Sequence, residues 1–99
     1  MLPPVRPAVL LVDDDLTLLA VLSRRVSRAG YEVTTTNSGP AALKLLEGSW
    51  PALMVVDLMM PGMDGFELCR RVKQLADLPI IVLSAVDDSE AKVSKRLRH

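Results

Sequence analysis

The sequence predicts an α/β fold in which a parallel β-sheet carries helices on both faces. Three short apolar runs, at residues 8–12, 52–56 and 80–83, have the length and composition typical of strands buried on both faces. Segments with helical spacing of apolar residues separate these runs, and each run ends at a residue with a side-chain oxygen. This alternation favours parallel strands joined by right-handed crossovers, a doubly wound sheet.

The first strand and first helix have clear boundaries. Residues 1–7 contain three prolines and are predicted to be a poorly ordered lead-in, and residues 8–12 form the first strand. Asp15 is placed to cap the following helix, and Gly30 is placed to end it. The apolar residues predicted to form the buried stripe of this helix are Leu19, Leu22, Val26 and Ala29.

Two further strand–helix units follow. Residues 31–36 are β-branched and more polar, which fits a strand at the sheet edge. A second helix is predicted from Ser38 to Gly48, and a third begins at Asp64, with Glu67 completing a capping-box pattern. The residues of these two helices expected to face inward are Ala42, Leu45, Leu46, Leu68, Val72 and Leu75.

The end of the chain has weaker patterns. Residues 80–83 predict a fourth strand, and residues 87–90 have the composition of one more helix start. The basic residues within 92–99 are expected to form a frayed, solvated end rather than a specific contact.

Composition excludes several classes of function. Twelve basic and twelve acidic residues cancel, so no net field attracts the chain to nucleic acid or to an anionic membrane. No stretch approaches the roughly 18 apolar residues of a membrane span, and the first residues lack a signal-peptide pattern. The single cysteine, Cys69, cannot form an internal disulfide. We therefore expect a cytoplasmic chain that binds neither nucleic acid nor membrane directly.

The strand ends carry the candidate chemistry. Alone, an aspartate at such a position is most often a turn or cap residue. In a doubly wound sheet, however, the ends of strands one and three are neighbours, so Asp13, Asp14 and Asp57 should crowd together. Two carboxylates about 4 Å apart repel by about 4 kcal/mol at an effective dielectric of about 20, so such a cluster holds a proton or a cation. Oxygen ligands of this kind suit Mg²⁺. Aspartate is also a nucleophile for acyl-phosphate formation, with the Ser84 hydroxyl as a possible donor to the added oxygens.

These motifs resemble the receiver domains of two-component response regulators. The resemblance covers residues 8 to about 93 and rests on three motifs: Val12-Asp13-Asp14-Asp15 after strand one, the run from Val55 through Asp57 and Pro61 to Gly65, and the run from Pro79 through Ser84 to Ala85. Each motif alone would be weak, but the three together are specific.

The resemblance implies a flavodoxin-like sheet of order 2-1-3-4, with residues 8–99 as the receiver domain. It implies that a sensor histidine kinase or phosphotransfer protein passes a phosphoryl group to Asp57. It also implies Mg²⁺ held by Asp13, Asp14, Asp57 and the backbone carbonyl of Met59, with Ser84 contacting the phosphoryl group and shifting with it.

The chain departs from the family after strand four. The family continues to a fifth parallel strand that ends in a Lys-Pro pair, and then to a fifth helix, and both are expected to be missing here. The sequence leaves open whether the chain is a fragment or a natural truncation. Without a fifth strand, residues 80–83 would be an apolar sheet edge. We therefore expect pairing between copies through strand four, swapping of elements, or a rearranged C-terminal segment that covers the edge.

Two alternatives to a phosphoacceptor switch remain open. One is an interaction module with the receiver fold that no longer switches, because the family lysine and fifth strand are absent. The other is a haloacid-dehalogenase-like phosphohydrolase, suggested by the spacing of Asp13 and Asp15 after strand one. That class needs a larger core and later acidic and lysine-bearing loops. The chain is otherwise expected not to be an enzyme, beyond catalysing its own phosphoryl transfer and dephosphorylation.

Overall fold

The computed structural model describes residues 6–58, 60, 65–85 and 95–98, with the backbone alone for 84, 85 and 95–98. The elements in chain order are β1 (Ala8–Val12), α1 (Leu16–Arg28), β2 (Glu32–Thr36), α2 (Gly39–Gly48), β3 (Leu53–Asp57), α3 (Gly65–Leu75), β4 (Ile80–Ala85) and β5 (Lys95–Arg98). The first three predicted helices and the four predicted strands are all present.

The strands form one sheet with the order β2-β1-β3-β4-β5. β1 pairs in parallel with both β2 and β3, and β3 pairs in parallel with β4. The parallel part therefore confirms the predicted doubly wound fold and its order 2-1-3-4. The more polar β2 lies at one edge of the sheet, as its composition predicts.

The expectation that no strand covers the other edge of the parallel strands, at β4, is corrected. A fifth strand is present, and it runs antiparallel to β4, with Leu83 opposite Leu97 and Ser84 opposite Arg96. It is not the parallel fifth strand of the receiver family. Without a neighbour on that side, β4 would leave backbone N–H and C=O groups unpaired. An antiparallel segment can pair with them without the crossover helix that a parallel strand needs. Of the three outcomes expected for this edge, the structure has the rearranged C-terminal segment. The helix expected from residue 87 lies outside the described residues.

The helix boundaries follow the predicted capping residues. The Asp15 carboxylate accepts a hydrogen bond from the Leu18 amide at 3.0 Å, and the Ser38 hydroxyl accepts one from the Ala41 amide at 3.2 Å. Gly30 follows the last turn of α1 with φ of 104°, a conformation that favours glycine. The predicted cap of α3, Asp64, lies outside the described residues.

Two apolar clusters of unequal size lie on the two faces of the sheet. The larger contains ten buried residues from the sheet, α2, α3 and the segments beside them: Leu10, Val12, Ala42, Leu46, Met54, Val56, Met60, Leu68, Val72 and Leu78. The smaller has three buried residues, Val9, Leu11 and Leu19, with half-buried neighbours that include Leu22 and Val26 of α1. The predicted core residues fall mostly into these clusters.

The core prediction is wrong for three residues. Ala29, Leu45 and Leu75 are exposed, the two leucines at 43% and 66%. Ala29 is the cap of α1 and Leu75 is the last residue of α3, so both lie where their helices end. On α2 the inward face is occupied by Ala42 and Leu46, which are four residues apart, and Leu45 lies beside that face.

The beginning of the chain is joined to the sheet at Pro7. Its carbonyl accepts a hydrogen bond from the Glu32 amide at 2.9 Å, which extends the β1–β2 pairing by one bond. Residues 1–5 lie outside the described residues, so the disordered lead-in stays a prediction. No helix in the described ranges has the length and apolar character needed to cross a membrane.

Candidate functional site

The candidate site lies where β1 and β3 end. Val12 of β1 pairs with Val56 of β3, so Asp13, which directly follows β1, and Asp57, the last residue of β3, reach the same end of the parallel strands. One carboxylate oxygen from each of Asp13, Asp14 and Asp57 lies within 4.8 Å of the others. The structure thus brings together the three aspartates that the sequence selected.

The three aspartates differ in their access to water. Asp13 is 1% exposed and Asp57 is 2% exposed, whereas Asp14 is exposed. Burying an ionised carboxylate is costly unless a cation or hydrogen bonds compensate for it. The cluster therefore has two shielded carboxylates in its wall and one at its solvent side.

On the β1 side, backbone hydrogen bonds explain the position of Asp13. The Asp13 amide donates to the Thr36 carbonyl at 3.2 Å, which ties it to the end of β2. Its Oδ1 accepts from the Asp15 amide at 2.9 Å and so holds the turn that leads into α1. Asp15 in turn caps α1, which leaves Asp14 between two residues engaged in the turn.

On the β3 side, three of the described residues after Asp57 have fixed positions: Leu58, Met60 and Gly65. The Leu58 amide donates to the Leu83 carbonyl of β4 at 3.1 Å, and the Leu58 carbonyl accepts from the Gly65 amide at 3.0 Å. Met60 is buried in the larger apolar cluster. The carboxylate of Asp57 therefore projects from a backbone that is joined both to the sheet and to the start of α3.

The other predicted site residues are described only in part. Ser84 lies in β4 directly after Leu83, the partner of Asp57 in the sheet. The position of its hydroxyl lies outside the described side chains, and Met59 lies outside the described residues. The sequence pattern assigned no role to Gly65, although an Asp-Gly pair at a helix start was an available signal for a close backbone approach.

The donor set fits a hard divalent cation. Mg²⁺ in proteins is usually bound by a small number of carboxylates and keeps several waters. Here each of the three aspartates offers one oxygen, and the exposed Asp14 leaves the solvent side of the cluster open to water. A cation there would also offset the repulsion between carboxylates that folding forces together. The burial of Asp13 and Asp57 is the observation that makes this fit more than a count of acidic residues.

Two side chains on α3, Glu67 and Cys69, have shifted pKa values that the structure explains. Hydrogen bonds from Arg70 and Arg71 lower the pKa of Glu67 to about 2. The Glu67 carboxylate accepts from Arg70 at 2.6 Å and from Arg71 Nε at 2.8 Å. Burial raises the pKa of the Cys69 thiol, which disfavours the reactive thiolate. Neither residue adds a nucleophile to the site.

Comparison with known proteins agrees with this geometry. A family model for the response regulator receiver domain matches residues 9–97. Transcriptional regulatory protein AfsQ1 of Streptomyces coelicolor is 45% identical over 82 residues, which are 83% of this chain and 36% of that protein. The solved receiver domain of the Francisella response regulator 1452 has a TM-score of 0.77 and 34% identity, covering 89% of this chain and 74% of that one.

A second solved relative carries ligands. Response regulator protein TrrA of Thermotoga maritima, in complex with Mg²⁺ and BeF, has a TM-score of 0.78 and 30% identity, covering 82% of this chain and 71% of that one. The chain spans about a third of the length of the curated relatives it matches. From the family match over residues 9–97, the sheet order and the aspartate cluster together, the chain belongs to the response regulator receiver domain family of two-component systems.

Proposed function

We propose that this chain accepts a phosphoryl group on Asp57 from a sensor histidine kinase or a phosphotransfer protein. The observation that carries the proposal is the convergence of three carboxylates within 4.8 Å at the end of β1 and β3. Membership of the receiver family supports the same function, since response regulators are signalling proteins and are generally not enzymes. Any catalysis would be limited to the chain's own phosphoryl transfer and dephosphorylation.

Asp57 is the best candidate for the nucleophile among the three aspartates. Asp13 accepts a hydrogen bond from the Asp15 amide and holds the turn into α1, so reaction there would disturb the first turn. Asp14 is exposed, and water solvates and weakens an exposed carboxylate as a nucleophile. Asp57 is shielded and is the last residue of a central strand, whose backbone is fixed on both sides.

Mg²⁺ is the proposed cofactor, held by Asp13, Asp14, Asp57 and the Met59 carbonyl. The TrrA structure, with Mg²⁺ and BeF bound, supports carrying this ligand over to a relative with 30% identity. When bound, the ion supplies positive charge that lets phosphoryl oxygens approach an acidic pocket. Ser84 is proposed to contact the phosphoryl oxygens through its hydroxyl.

The proposed step is a direct displacement at phosphorus. A bond forms between a carboxylate oxygen of Asp57 and the phosphorus of the donor. The bond from phosphorus to the donor's histidine nitrogen breaks, and its electron pair stays on that nitrogen. The product is an aspartyl phosphate, whose phosphoryl group carries about −1.5 to −2 of charge in place of the single negative charge of the Asp57 carboxylate. With acetyl phosphate as a small donor, acetate leaves instead.

The direct test is the mass of the chain after reaction with acetyl phosphate and Mg²⁺. Wild type should gain about 80 Da, the mass of one added phosphoryl group, and Asp57→Asn should gain nothing. Asp77→Asn is a matched control, because Asp77 is a fully exposed aspartate in the connection between α3 and β4, and it should react like wild type. An equal adduct on Asp57→Asn and wild type would refute the assignment.

A second candidate, a receiver-fold interaction module that no longer switches, is supported by one observation. β5 pairs with β4 in the antiparallel direction. Residues 95–98 therefore do not form the parallel fifth strand with a terminal lysine that would couple the phosphoryl group to the surface. Amide hydrogen exchange with Mg²⁺ and beryllofluoride separates the two. A switch predicts altered exchange in β4 and β5, whereas a static module predicts changes only beside Asp57. The family match over residues 9–97 leaves the phosphohydrolase alternative without support.

A further inference from the structure

Gly65 lies against the backbone that carries Asp57. It is buried and is the first residue of α3. A Cβ atom built on Gly65 would lie 2.8 Å from the carbonyl carbon of Asp57, and it would be closer still to the carbonyl oxygen of Asp57 and to Cα of Leu58. All three atoms are backbone, so no side chain can rotate away to make room.

The same contact is reinforced by a chain of hydrogen bonds. The Gly65 amide donates to the Leu58 carbonyl at 3.0 Å, and the Leu58 amide donates to the Leu83 carbonyl at 3.1 Å. Asp57 itself pairs with Leu83 in the β3–β4 register. The start of α3 is therefore pressed against the strand end, and its distance from Asp57 is set by the absence of a side chain at one position.

We infer that Gly65 is a positioning residue for Asp57. Its missing Cβ lets α3 approach the Asp57 carbonyl, and this approach fixes the direction in which the Asp57 carboxylate leaves the strand. The inference rests on the proposed function, because it assigns Gly65 a role in the phosphoryl transfer to Asp57. A larger residue at this position must separate α3 from the strand end, which moves the nucleophile relative to Asp13 and Asp14.

The test compares Gly65→Ala with Gly48→Ala. Gly48 is also a helical glycine, but a Cβ there meets nothing within 4 Å, so it controls for the loss of a glycine. Acetyl phosphate and Mg²⁺ are added, and the rate of adduct formation is divided by the folded fraction from the fluorescence of the single tryptophan, Trp50. Gly48→Ala should react like wild type. Gly65→Ala should react about 10 to 100 times more slowly per folded molecule, as expected for a reacting group displaced by about 1 Å.

A second measurement separates positioning from loss of folding. Trimethylamine N-oxide favours the folded state of a destabilised protein. If Gly65→Ala is partly unfolded, the osmolyte should restore its Trp50 fluorescence, but the reaction rate per folded molecule should stay low. A normal rate per folded molecule, with or without osmolyte, would overturn the inference.

The failure of the proposed function gives a different result. In that case wild type and Gly48→Ala also form no adduct. The rise in melting temperature on adding Mg²⁺ then tests Gly65 without any phosphoryl transfer. Gly65→Ala should lose at least half of the rise seen in Gly48→Ala, and an equal rise in both variants would overturn the role assigned to Gly65.

Discussion

Asp13 and Asp57 are carboxylates that folding removes almost completely from water. The hydrogen bond from the Asp15 amide satisfies one oxygen of Asp13, and the exposed Asp14 adds a further negative charge at the mouth of the cluster. Carboxylates whose oxygens lie within 4.8 Å of one another repel, and this repulsion opposes folding. At the scale of single residues, the site is therefore built at a cost in stability that a bound cation can offset.

This cost predicts a metal-dependent stability. Mg²⁺ should raise the melting temperature of wild type, because it binds the folded cluster and not the separated carboxylates of the unfolded chain. Asp14→Ala should abolish most of that rise and should leave the metal-free stability unchanged or higher. The measurement is thermal unfolding with and without Mg²⁺, with Asp77→Asn as the control for removing one aspartate. An equal Mg²⁺ shift in wild type and Asp14→Ala would place the cation elsewhere.

Glu67 predicts a pH effect that is separate from the site. Hydrogen bonds from Arg70 and Arg71 lower its pKa from 4.5 to about 2. A lowered folded-state pKa means that the stabilisation is fully present above pH 4.5 and is lost as the pH falls towards 2. The free energy of unfolding in urea should therefore fall less between pH 5 and pH 2 in Glu67→Gln than in wild type. The effect should be small because the ion pairs are exposed to solvent, and identical pH dependence would contradict it.

At the scale of elements, the main finding is that β5 covers the apolar edge of β4. The four residues of β5 contribute backbone groups to a strand that would otherwise present unpaired N–H and C=O groups. The basic composition of residues 95–98 suggested a solvated end, since Lys, Arg and a single Leu have no strand pattern of their own. The pairing partner, and not local preference, places this segment in the sheet.

We predict that removing β5 promotes association of the chain. A chain ending at residue 94 should form larger species than the 99-residue chain in sedimentation experiments at micromolar concentration, because its β4 edge can pair with a second copy. Truncation also removes the positive charges of Lys95, Arg96 and Arg98, so the control is the full chain with these three residues changed to Thr. That variant keeps the strand and should behave like wild type. Equal association of the truncated and full chains would refute the edge argument.

At the scale of the whole molecule, the two layers on the sheet are unequal. α2 and α3 cover one face over ten buried apolar residues, whereas α1 is the single helix on the other face in the described part of the chain. A cavity of about 260 Å³ lies on the α1 face and is lined by Leu22 and Val26 of α1 together with strand residues such as Leu11 and Val55. Most of the hydrophobic stabilisation should therefore come from the α2–α3 layer.

Two matched substitutions measure this asymmetry. Val72→Ala on α3 should lower the free energy of unfolding by about 2 kcal/mol, because Val72 is fully buried and its loss leaves a cavity. Val26→Ala on α1 should cost less than about 1 kcal/mol, because its half-buried side chain already borders open space. Both changes replace Val by Ala within a helix, so the gain in helix propensity is the same. Urea denaturation gives both values, and equal costs would contradict unequal layers.

The sequence by itself determined the parallel core of the fold and the three aspartates. Short apolar runs, helical stripes, and the caps Asp15, Ser38 and Gly30 are local signals, and each acts through hydrogen bonds or apolar contacts within a few residues. The aspartates followed from the same signals, because parallel strands bring their carboxyl ends to one edge. Local signals were wrong at helix ends, where Ala29 and Leu75 extend a correct stripe beyond the point at which the helix still faces the sheet.

Only the tertiary structure decided how β4 is covered and how closely α3 approaches Asp57. Residues 95–98 become a strand because an unpaired edge lies within reach, and a sequence pattern within four residues does not contain that partner. Gly65 is constrained by backbone atoms of Asp57 and Leu58, which precede α3 in the chain but lie against its first residue in space. In both cases the deciding interaction is between backbone atoms of different elements, and such contacts have no periodic signature in the side chains.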